Sequence, residues 1–279
     1  MRFNKWYGVI SAVLLITVVG CATSPTGRDQ LLLVSEESAI AASKPAYVQM
    51  LEPYKKEGKL DSDPVLNKRV KLIISRLIAQ AVLVRPETKD WEWSIRIIDE
   101  PEMVNAWAMA GGKMALYTGL IQKIKPTDDE LANVLGHEIA HALAKHTAER
   151  MSIAMASQVG IMAIGMLSDK PGVAMAGASL AAQLAITLPN SRTSESEADE
   201  IGIELAAKAG YNPQGAVTLW DKMGKLSGDK PPEFLSTHPD PKNRKKALSK
   251  MVKKMQPYYE ANIERPIFEI KPVINTVEK

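Results

Sequence analysis

The stretch NVLGHEIAHALAKH, residues 133–146, holds three of the four histidines in the 279-residue chain. Two of them, His137 and His141, flank a glutamate in the order His-Glu-x-x-His. Residues four apart on an α-helix are rotated by about 40° around its axis, so the two imidazoles would project side by side. Such a pair can bind one zinc ion, and Glu138 beside it can act as a general base for a zinc-activated water. The stretch therefore predicts a hydrolytic zinc site on a helix.

The residues before this motif predict that its helix begins near position 128. Thr127 and Glu130 have the spacing of a capping box, and the two aspartates between them suit the positive end of a helix dipole. His146 lies five positions after His141, about 140° further around the helix. We therefore predict that His146 is a surface or packing residue and not a metal ligand.

A third zinc ligand is expected on a later helix, in SRTSESEADEIGI, residues 191–203. Glu195 and Glu197 are about 200° apart on a helix, so only one of them can face the metal. Asp199 follows Glu195 by four residues on the same face, and it could accept the N–H of a zinc-bound imidazole. Glu197 has no acidic residue at that spacing, so the pattern favours Glu195 as the ligand and Asp199 as the orienting residue. Three protein ligands per zinc leave the open position that is typical of catalytic sites.

Hydrolysis of a peptide bond also requires a donor that stabilises the oxyanion. Arg192, three residues before Glu195, is one candidate, and His238 in STHPD (residues 236–240) is the other. Alternatively, His238 could bind the metal and keep the site closed until a substrate displaces it, or it could be a loop histidine bonded to the backbone. The residues alone leave these alternatives open.

Other segments predict an α+β fold that is mainly helical. DPVLNKRVKLIISRLIAQAVLV (63–84) has the start signal and the apolar spacing of a helix, and WEWSIRIID (91–99) alternates like a half-buried strand. NAWAMAGGKMALYTGL (105–120) breaks at two glycines between apolar arms, which is typical of a hairpin. We therefore expect a strand and a hairpin in addition to the helices.

Three segments, GHEIAHALAKH, SRTSESEADEIGI and STHPDPKNR, occur in the order found in a family of zinc peptidases. That family includes HtpX, the CAAX prenyl endopeptidase and the mitochondrial Oma peptidases, and the resemblance covers about residues 60–250. It implies a zincin-type (gluzincin) fold with a small mixed sheet beside the motif helix. It also implies zinc on His137, His141 and Glu195, and a position near the metal for His238. It also implies that an edge strand beside the cleft holds substrate by strand addition, near Ala108, Met109, Ala110 and Gly111.

The N-terminal residues predict a lipoprotein signal. Arg2 and Lys5 precede an almost wholly apolar run at 9–19, which is shorter than the ~20 residues of a membrane span. The run ends in VVGC, and Cys21 is the only cysteine of the chain. This pattern resembles a bacterial lipoprotein signal that is cleaved before a diacylated Cys21, and Ala22 favours sorting to the outer membrane, facing the periplasm. With this signal and no evident multi-span region in its sequence, the chain resembles bacterial lipoprotein members of the family.

We expect four successive regions along the chain: a signal peptide at 1–20, a lipidated N-terminus and tether at 21–60, a zinc metallopeptidase domain at 61–256 and a C-terminal extension at 257–279. Within the domain, residues 152–188 are apolar in two halves and predict a helical hairpin. Each half is short for a membrane span, so the hairpin could be a lid over the cleft or a membrane contact.

These patterns together predict a membrane-tethered periplasmic zinc endopeptidase that cleaves misfolded or envelope proteins. Its expected partners are protein or peptide substrates, the membrane through Cys21, and outer-membrane assembly or quality-control proteins. The balance of 35 basic against 32 acidic residues argues against a nucleic-acid binder. The alternative is a gated, largely non-proteolytic assembly factor or chaperone for outer-membrane proteins.

Overall fold

The computed structural model describes residues 21–167, 191–226, 232–238 and 244–270. Its helices are α1 Glu36–Lys56, α2 Pro64–Val84, α3 Asp128–Leu143, α4 His146–Leu167, α5 Arg192–Lys208, α6 Gln214–Leu226, α7 Glu233–Thr237 and α8 Arg244–Glu260. Its strands are β1 Cys21–Thr23, β2 Asp29–Leu31, β3 Ser94–Ile98, β4 Ala106–Met109 and β5 Lys113–Tyr117. A 3₁₀-helix (Pro86–Asp90) and a π-helical turn (Leu120–Ile124) complete the regular structure of the described residues. The predicted α+β, mainly helical fold is confirmed.

The chain divides into two compact units. The described residues of the smaller unit are 21–39 and 145–167, and those of the larger unit are 40–144 and the described residues from 191 to 270. The residues predicted to form the metal site all belong to the larger unit.

In the smaller unit, the residues expected to form a tether are folded. β1 and β2 pair in antiparallel fashion, and Arg28 donates two hydrogen bonds of 2.7 Å to the carboxylate of Glu149 on α4. Gln30 donates to the same carboxylate at 3.0 Å, and the Val34 N–H donates to Ser152 Oγ at 2.9 Å. These polar contacts connect the N-terminal hairpin and the residues after it to α4.

Helix α4 contains the first half of the predicted helical hairpin. Residues 168–188 lie outside the described residues, as does the segment predicted to be a signal peptide at 1–20. Apolar side chains on α4 are unusually exposed, between 40 and 56 %, at Ile153, Met155, Val159 and Met162. Nevertheless, no helix in the described part of the chain has the length and hydropathy needed to cross a membrane.

The larger unit contains a three-stranded mixed sheet in the order β3-β5-β4. The central strand β5 is parallel to β3 and antiparallel to β4, and the β4–β5 hairpin turns through Gly111 and Gly112 with φ values of 75° and 73°. These positive φ values are strained for other residues, so the two glycines account for the hairpin. β4 is an edge strand that packs against α3.

Strand β3 differs from the half-buried strand that its alternation predicted. It is shorter, because Trp91 and Trp93 precede it, and it is buried on both faces. Ile98, on the face expected to be exposed, packs in a cluster with Tyr47 and Leu51 of α1. The second face is covered by α1, and no local pattern in the strand itself reveals that partner.

Helix α3 begins where its capping signal predicts. Thr127 Oγ1 accepts the N–H of Glu130 at 3.2 Å, and Glu130 Oε2 accepts the N–H of Thr127 at 2.8 Å, so the capping box is complete. The Lys222 ammonium of α6 donates a further bond of 2.6 Å to Glu130 Oε2. The start of the motif helix is thereby fixed both locally and by a neighbouring helix.

Helices α3 and α5 approach each other most closely at two glycines. A Cβ on Gly136 would lie 2.7 Å from the carbonyl oxygen of Gly202, and a Cβ on Gly202 would lie 2.7 Å from the backbone nitrogen of His137. Any side chain at either position would push the helices apart. This backbone contact brings the acidic residues of α5 to the histidines of α3.

Candidate metal centre

Four buried side chains from three segments of the larger unit converge on one point. They are His137, His141, Glu195 and His238, and one ligand atom from each lies within 4.8 Å of the others. His137 Nε2 is 3.1 Å from His141 Nε2 and 3.2 Å from His238 Nδ1. The Glu195 carboxylate oxygens are 3.3 Å from each of His137 Nε2 and His141 Nε2, and 3.1 Å from His238 Nδ1.

These separations match a tetrahedral metal site. Two atoms that each lie 2.0–2.1 Å from a metal at the tetrahedral angle are about 3.3 Å apart. The five separations given above, of which two involve Glu195 Oε1 and one involves Glu195 Oε2, range from 3.1 to 3.3 Å and agree with this spacing. Imidazole nitrogens with a carboxylate are also the donors that zinc and similar divalent metals prefer. The residues present therefore fit a divalent metal ion.

Asp199 lies behind His137, on the side away from the other ligands. Its Oδ1 is 3.1 Å from His137 Nδ1, so the carboxylate can accept that N–H and leave Nε2 for the metal. Burial alone would lower the pKa of His137, but hydrogen bonds and charges from Asp199 and Glu195 raise it to about 9. Burial alone would raise the pKa of Glu195, but its hydrogen bond and charge interaction with His137 hold it well below the ordinary range. Glu195 is therefore ionised.

Glu138 follows the first histidine and is almost wholly buried. Its Oε1 lies 3.4 Å from Nε2 of His238, whose Nδ1 belongs to the ligand cluster. The glutamate is thus beside the cluster but not part of it, which is the position that a general base for a metal-activated water requires.

His238 is placed by aromatic packing. It lies directly after α7, where its N–H donates to the carbonyl of Phe234 at 2.9 Å. The ring of Phe234 stacks on the imidazole with a centroid distance of 4.5 Å and an interplanar angle of 27°. The Phe234 N–H in turn donates to the carbonyl of Val104, in the segment that leads into β4. Of the two predicted oxyanion donors, His238 is the one that the structure brings to the cluster.

Arg192 is exposed in the first turn of α5, and the described contacts do not bring its side chain to the cluster. Its sequence separation from Glu195 is small, but it lies one turn closer to the helix terminus and to the surface. The arginine at the site is Arg244, which the sequence analysis did not single out. It opens a lysine-rich helix, and its one distinguishing signal is that it ends the STHPDPKNR segment.

Two other predicted positions can be compared with the structure. Within the described residues, the cluster does not include His146, which is buried and therefore a packing residue and not a surface residue. Glu197 is buried as well, but the ligand cluster contains Glu195. Burial alone does not distinguish the ligand Glu195 from Glu197, whereas the four-residue spacing to Asp199 does.

The predicted substrate strand is only partly a strand. Ala108 and Met109 belong to edge strand β4, while Ala110 and Gly111 form the turn that follows. Because β4 lies at the sheet edge and packs against α3, an extended peptide could pair with it next to the motif helix. Its role in binding substrate stays a prediction.

Comparison with known proteins gives consistent matches. The chain is 31 % identical over 273 residues to the mitochondrial metalloendopeptidase OMA1 of Bos taurus, covering 90 % of this chain and 51 % of that protein. It is 40 % identical over 159 residues to the mitochondrial metalloendopeptidase OMA1 of Arabidopsis thaliana, covering 56 % of this chain and 31 % of that protein. With the beta-barrel assembly-enhancing protease of Yersinia pestis it shares 27 % identity over 270 residues, which cover 94 % of this chain and 52 % of that protein. The chain thus spans about half the length, or less, of these curated relatives.

The sequence model of peptidase family M48 matches residues 64–252, a range that contains all four members of the ligand cluster together with Glu138 and Asp199. The match agrees with the three motifs on which the sequence prediction rests. The chain therefore belongs to peptidase family M48, a family of metallopeptidases.

Proposed function

We propose that this protein is a zinc endopeptidase, tethered to the bacterial outer membrane and facing the periplasm, that hydrolyses peptide bonds of misfolded or envelope proteins. The observation that carries the proposal is the buried set of four ligand atoms with near-tetrahedral spacing, with a buried glutamate beside it. The relatives named metalloendopeptidases support the reaction class.

In this proposal, His137, His141 and Glu195 would hold one zinc ion per chain. Bound zinc supplies Lewis acidity to the peptide carbonyl and lowers the pKa of a coordinated water. Glu138 takes a proton from the attacking water and later gives it to the nitrogen of the leaving amine. Asp199 accepts the Nδ1–H of His137, which keeps the ring in one orientation and one tautomer.

His238 lies where a water or a substrate oxygen would have to bind in this scheme. Its Nδ1 occupies the fourth corner of the cluster, which is the corner that a water or substrate oxygen requires. We infer that His238 closes the site at rest and leaves when substrate binds. His238 follows a single short helix, α7, and stacks on one ring, that of Phe234. It should therefore be easier to displace from the cluster than a histidine in the middle of α3.

The proposed location and substrates rest on sequence and on one class of relative. The apolar run at 9–19 and Cys21 support a lipid anchor, which a second acyl chain would make stable. The Yersinia pestis relative is named a beta-barrel assembly-enhancing protease, so envelope proteins in an unfolded state are the proposed substrates. Replacement of Cys21 by serine should abolish palmitate labelling and release the protein from membranes.

Zinc analysis and a cleavage assay on the full-length chain test the proposed function. We expect one zinc per chain, weaker binding in Glu195→Gln, and cleavage of casein that a chelator inhibits. Zinc without cleavage, even after His238 is replaced by alanine, would contradict peptidase activity. Absence of zinc at neutral pH would contradict the whole proposal.

A gated assembly factor is a second candidate function, and the position of His238 favours it. A site that is closed at rest would turn over rarely, and the apolar side chains exposed on α4 are of the kind that bind unfolded chains. The two functions separate in a deletion strain complemented with Glu138→Gln. Full complementation by this variant would favour chaperone-like work, whereas loss of complementation would favour proteolysis.

A further inference from the structure

Arg244 is the most completely paired cation near the metal centre. Its side chain is only 2 % exposed. Its Nε and Nη2 donate to the two carboxylate oxygens of Asp199 at 2.7 and 2.6 Å, and its Nη1 donates to Glu195 Oε2 at 3.1 Å. The planar guanidinium thus bonds two carboxylates at once, which a lysine ammonium cannot reproduce in the same geometry.

Through these bonds, Arg244 acts on two of the predicted metal ligands. Glu195 is reached directly. His137 is reached through Asp199, whose Oδ1 accepts both from the arginine and from the imidazole Nδ1. Glu195 and Asp199 lie one turn apart on α5, so the arginine also fixes the two carboxylates relative to each other.

The arginine is itself held in place by an aromatic ring. Its guanidinium carbon lies 3.9 Å from the ring centroid of Trp220 on α6, and Trp220 packs on Phe234 with centroids 6.1 Å apart. Phe234 stacks on His238. One line of rings therefore joins the arginine behind the ligands to the histidine that closes their open side.

Charge balance gives a second reason for an arginine here. Glu138, Glu195 and Asp199 are buried carboxylates around one point, and one divalent cation with one guanidinium would neutralise the three of them. Buried charges are tolerated only when they are paired, so loss of the guanidinium would leave Asp199 without its main partner. Removing the positive charge of Arg244 would by itself strengthen the binding of a metal cation. Removing its hydrogen bonds would let the ligand side chains turn and would weaken metal binding, so the two effects have opposite signs.

We propose that Arg244 is a positioning residue of the metal centre, whose guanidinium holds Glu195 directly, and His137 through Asp199, in the orientation that zinc requires. This inference rests on the zinc site proposed above. It assigns Arg244 no contact with substrate, so its loss should lower kcat and leave KM almost unchanged.

The test is the zinc affinity of full-length Arg244→Lys and Arg244→Gln, measured by competition with a chromophoric chelator. Outer contacts of this kind typically change metal affinity 10- to 100-fold, so both variants should bind zinc about 10- to 100-fold more weakly. Arg244→Lys keeps the positive charge but cannot bond both carboxylates in the same way. A loss of zinc affinity in this variant would therefore show that the hydrogen-bond geometry of the guanidinium matters, and not its charge alone. The visible spectrum of the cobalt-substituted protein should also change in both.

Arg28→Lys is a matched control, because Arg28 also makes a two-bond fork, with Glu149, outside the metal centre. It should leave zinc affinity unchanged. If the Arg244 variants do not fold, Trp220→Leu keeps the arginine and removes the ring that supports it, and a smaller loss of affinity is expected there.

Wild-type zinc affinity in folded Arg244→Lys and Arg244→Gln would overturn this inference and leave the proposed function intact. An unchanged affinity in Trp220→Leu, when the Arg244 variants fail to fold, would overturn it in the same way. Absence of zinc from the wild-type protein would overturn both. An equal loss of affinity in Arg28→Lys would show a general loss of stability and would overturn the positioning role.

Discussion

The helix that carries His137, Glu138 and His141 and the segment that carries His238 reach the same point through different kinds of contact. In α3, a complete capping box fixes the first turn, and Gly136 locks the helix against α5 beside the first histidine. Outside its contacts with the ligand cluster and Glu138, His238 is held by one stacked ring and one backbone hydrogen bond, both with Phe234. We therefore expect substitutions of the functional residues in α3 to abolish peptide hydrolysis, and substitutions around His238 to change its rate.

The largest effect is expected from Glu138→Gln. The substitution preserves shape and removes the proton acceptor, so peptide hydrolysis should fall by about 10²- to 10⁴-fold. Zinc content should stay at the wild-type level, since Glu138 lies outside the ligand cluster. Single-turnover cleavage of casein fragments, together with elemental analysis, provides both measurements.

A glutamate on the same helix provides the control for that experiment. Glu130 is also buried, but it serves the capping box eight residues earlier. Glu130→Gln should therefore keep most of the activity. Comparable activity in Glu138→Gln and in the wild type would remove the glutamate from the mechanism.

Gly202→Ala tests whether the backbone contact of α3 with α5 holds the ligands together. The added Cβ would lie 2.7 Å from the backbone nitrogen of His137, and such overpacking typically costs about 1–3 kcal/mol. We expect a lower free energy of unfolding in urea and weaker zinc binding, because the shift separates His137 from Glu195.

The matched control for this change is Gly224→Ala in α6, where an added Cβ has no atom within 4 Å. Alanine has the higher helix propensity, by about 1 kcal/mol, so the control should be neutral or slightly stabilising. If Gly202→Ala also proved neutral with full zinc affinity, the two helices would not depend on their close approach.

His238→Ala should have a smaller effect and an opposite sign. If the histidine closes the site nine-tenths of the time, its removal should raise cleavage of an unfolded substrate by about tenfold. Zinc binding should persist through the three remaining ligands. Phe234→Leu, which removes the stacked ring, should raise cleavage by a smaller factor.

Steady-state kinetics of both variants would check the direction. A large fall in kcat for His238→Ala, with zinc retained, would instead identify the histidine as a donor to the oxyanion. That outcome would leave the ligand cluster valid but would remove the basis for a site that is closed at rest.

The same contrast explains which parts of the site the sequence could predict. His137 and His141 are four residues apart on one helix, and Asp199 follows Glu195 at the same spacing, so helical geometry alone places each pair on one face. The sequence also predicted the start of α3 and the hairpin glycines, because each depends on neighbours within a few residues. The parallel pairing that makes the sheet mixed joins β3 to β5, on either side of β4 in sequence, and no such local pattern determines it.

Arg244 could not be found in this way. Its partners, Asp199 and Glu195, lie more than forty residues away, and its neighbours in sequence are lysines that suggest a solvated helix. Arg192 is one of the two predicted oxyanion donors because it is close to Glu195 along the chain, but closeness in sequence does not determine how deeply a side chain is buried. The second buried face of β3 was missed for a similar reason, since its cover is α1, contributed by a distant segment.

The smallest expected effect concerns the start of α3 and its dependence on pH. Burial alone would raise the pKa of Glu130, but the Lys222 ammonium and the Thr127 N–H hold this pKa below its ordinary value. A carboxylate with a lowered pKa stabilises the fold above its unfolded pKa, and this contribution disappears as the pH falls through the folded value. Glu130→Gln and Thr127→Ala should each cost about 1 kcal/mol at pH 7. The free energy of unfolding in urea, measured at pH 7 and below pH 4, should differ less between Glu130→Gln and the wild type in acid. A difference that stayed constant would mean that ionised Glu130 contributes nothing to the cap.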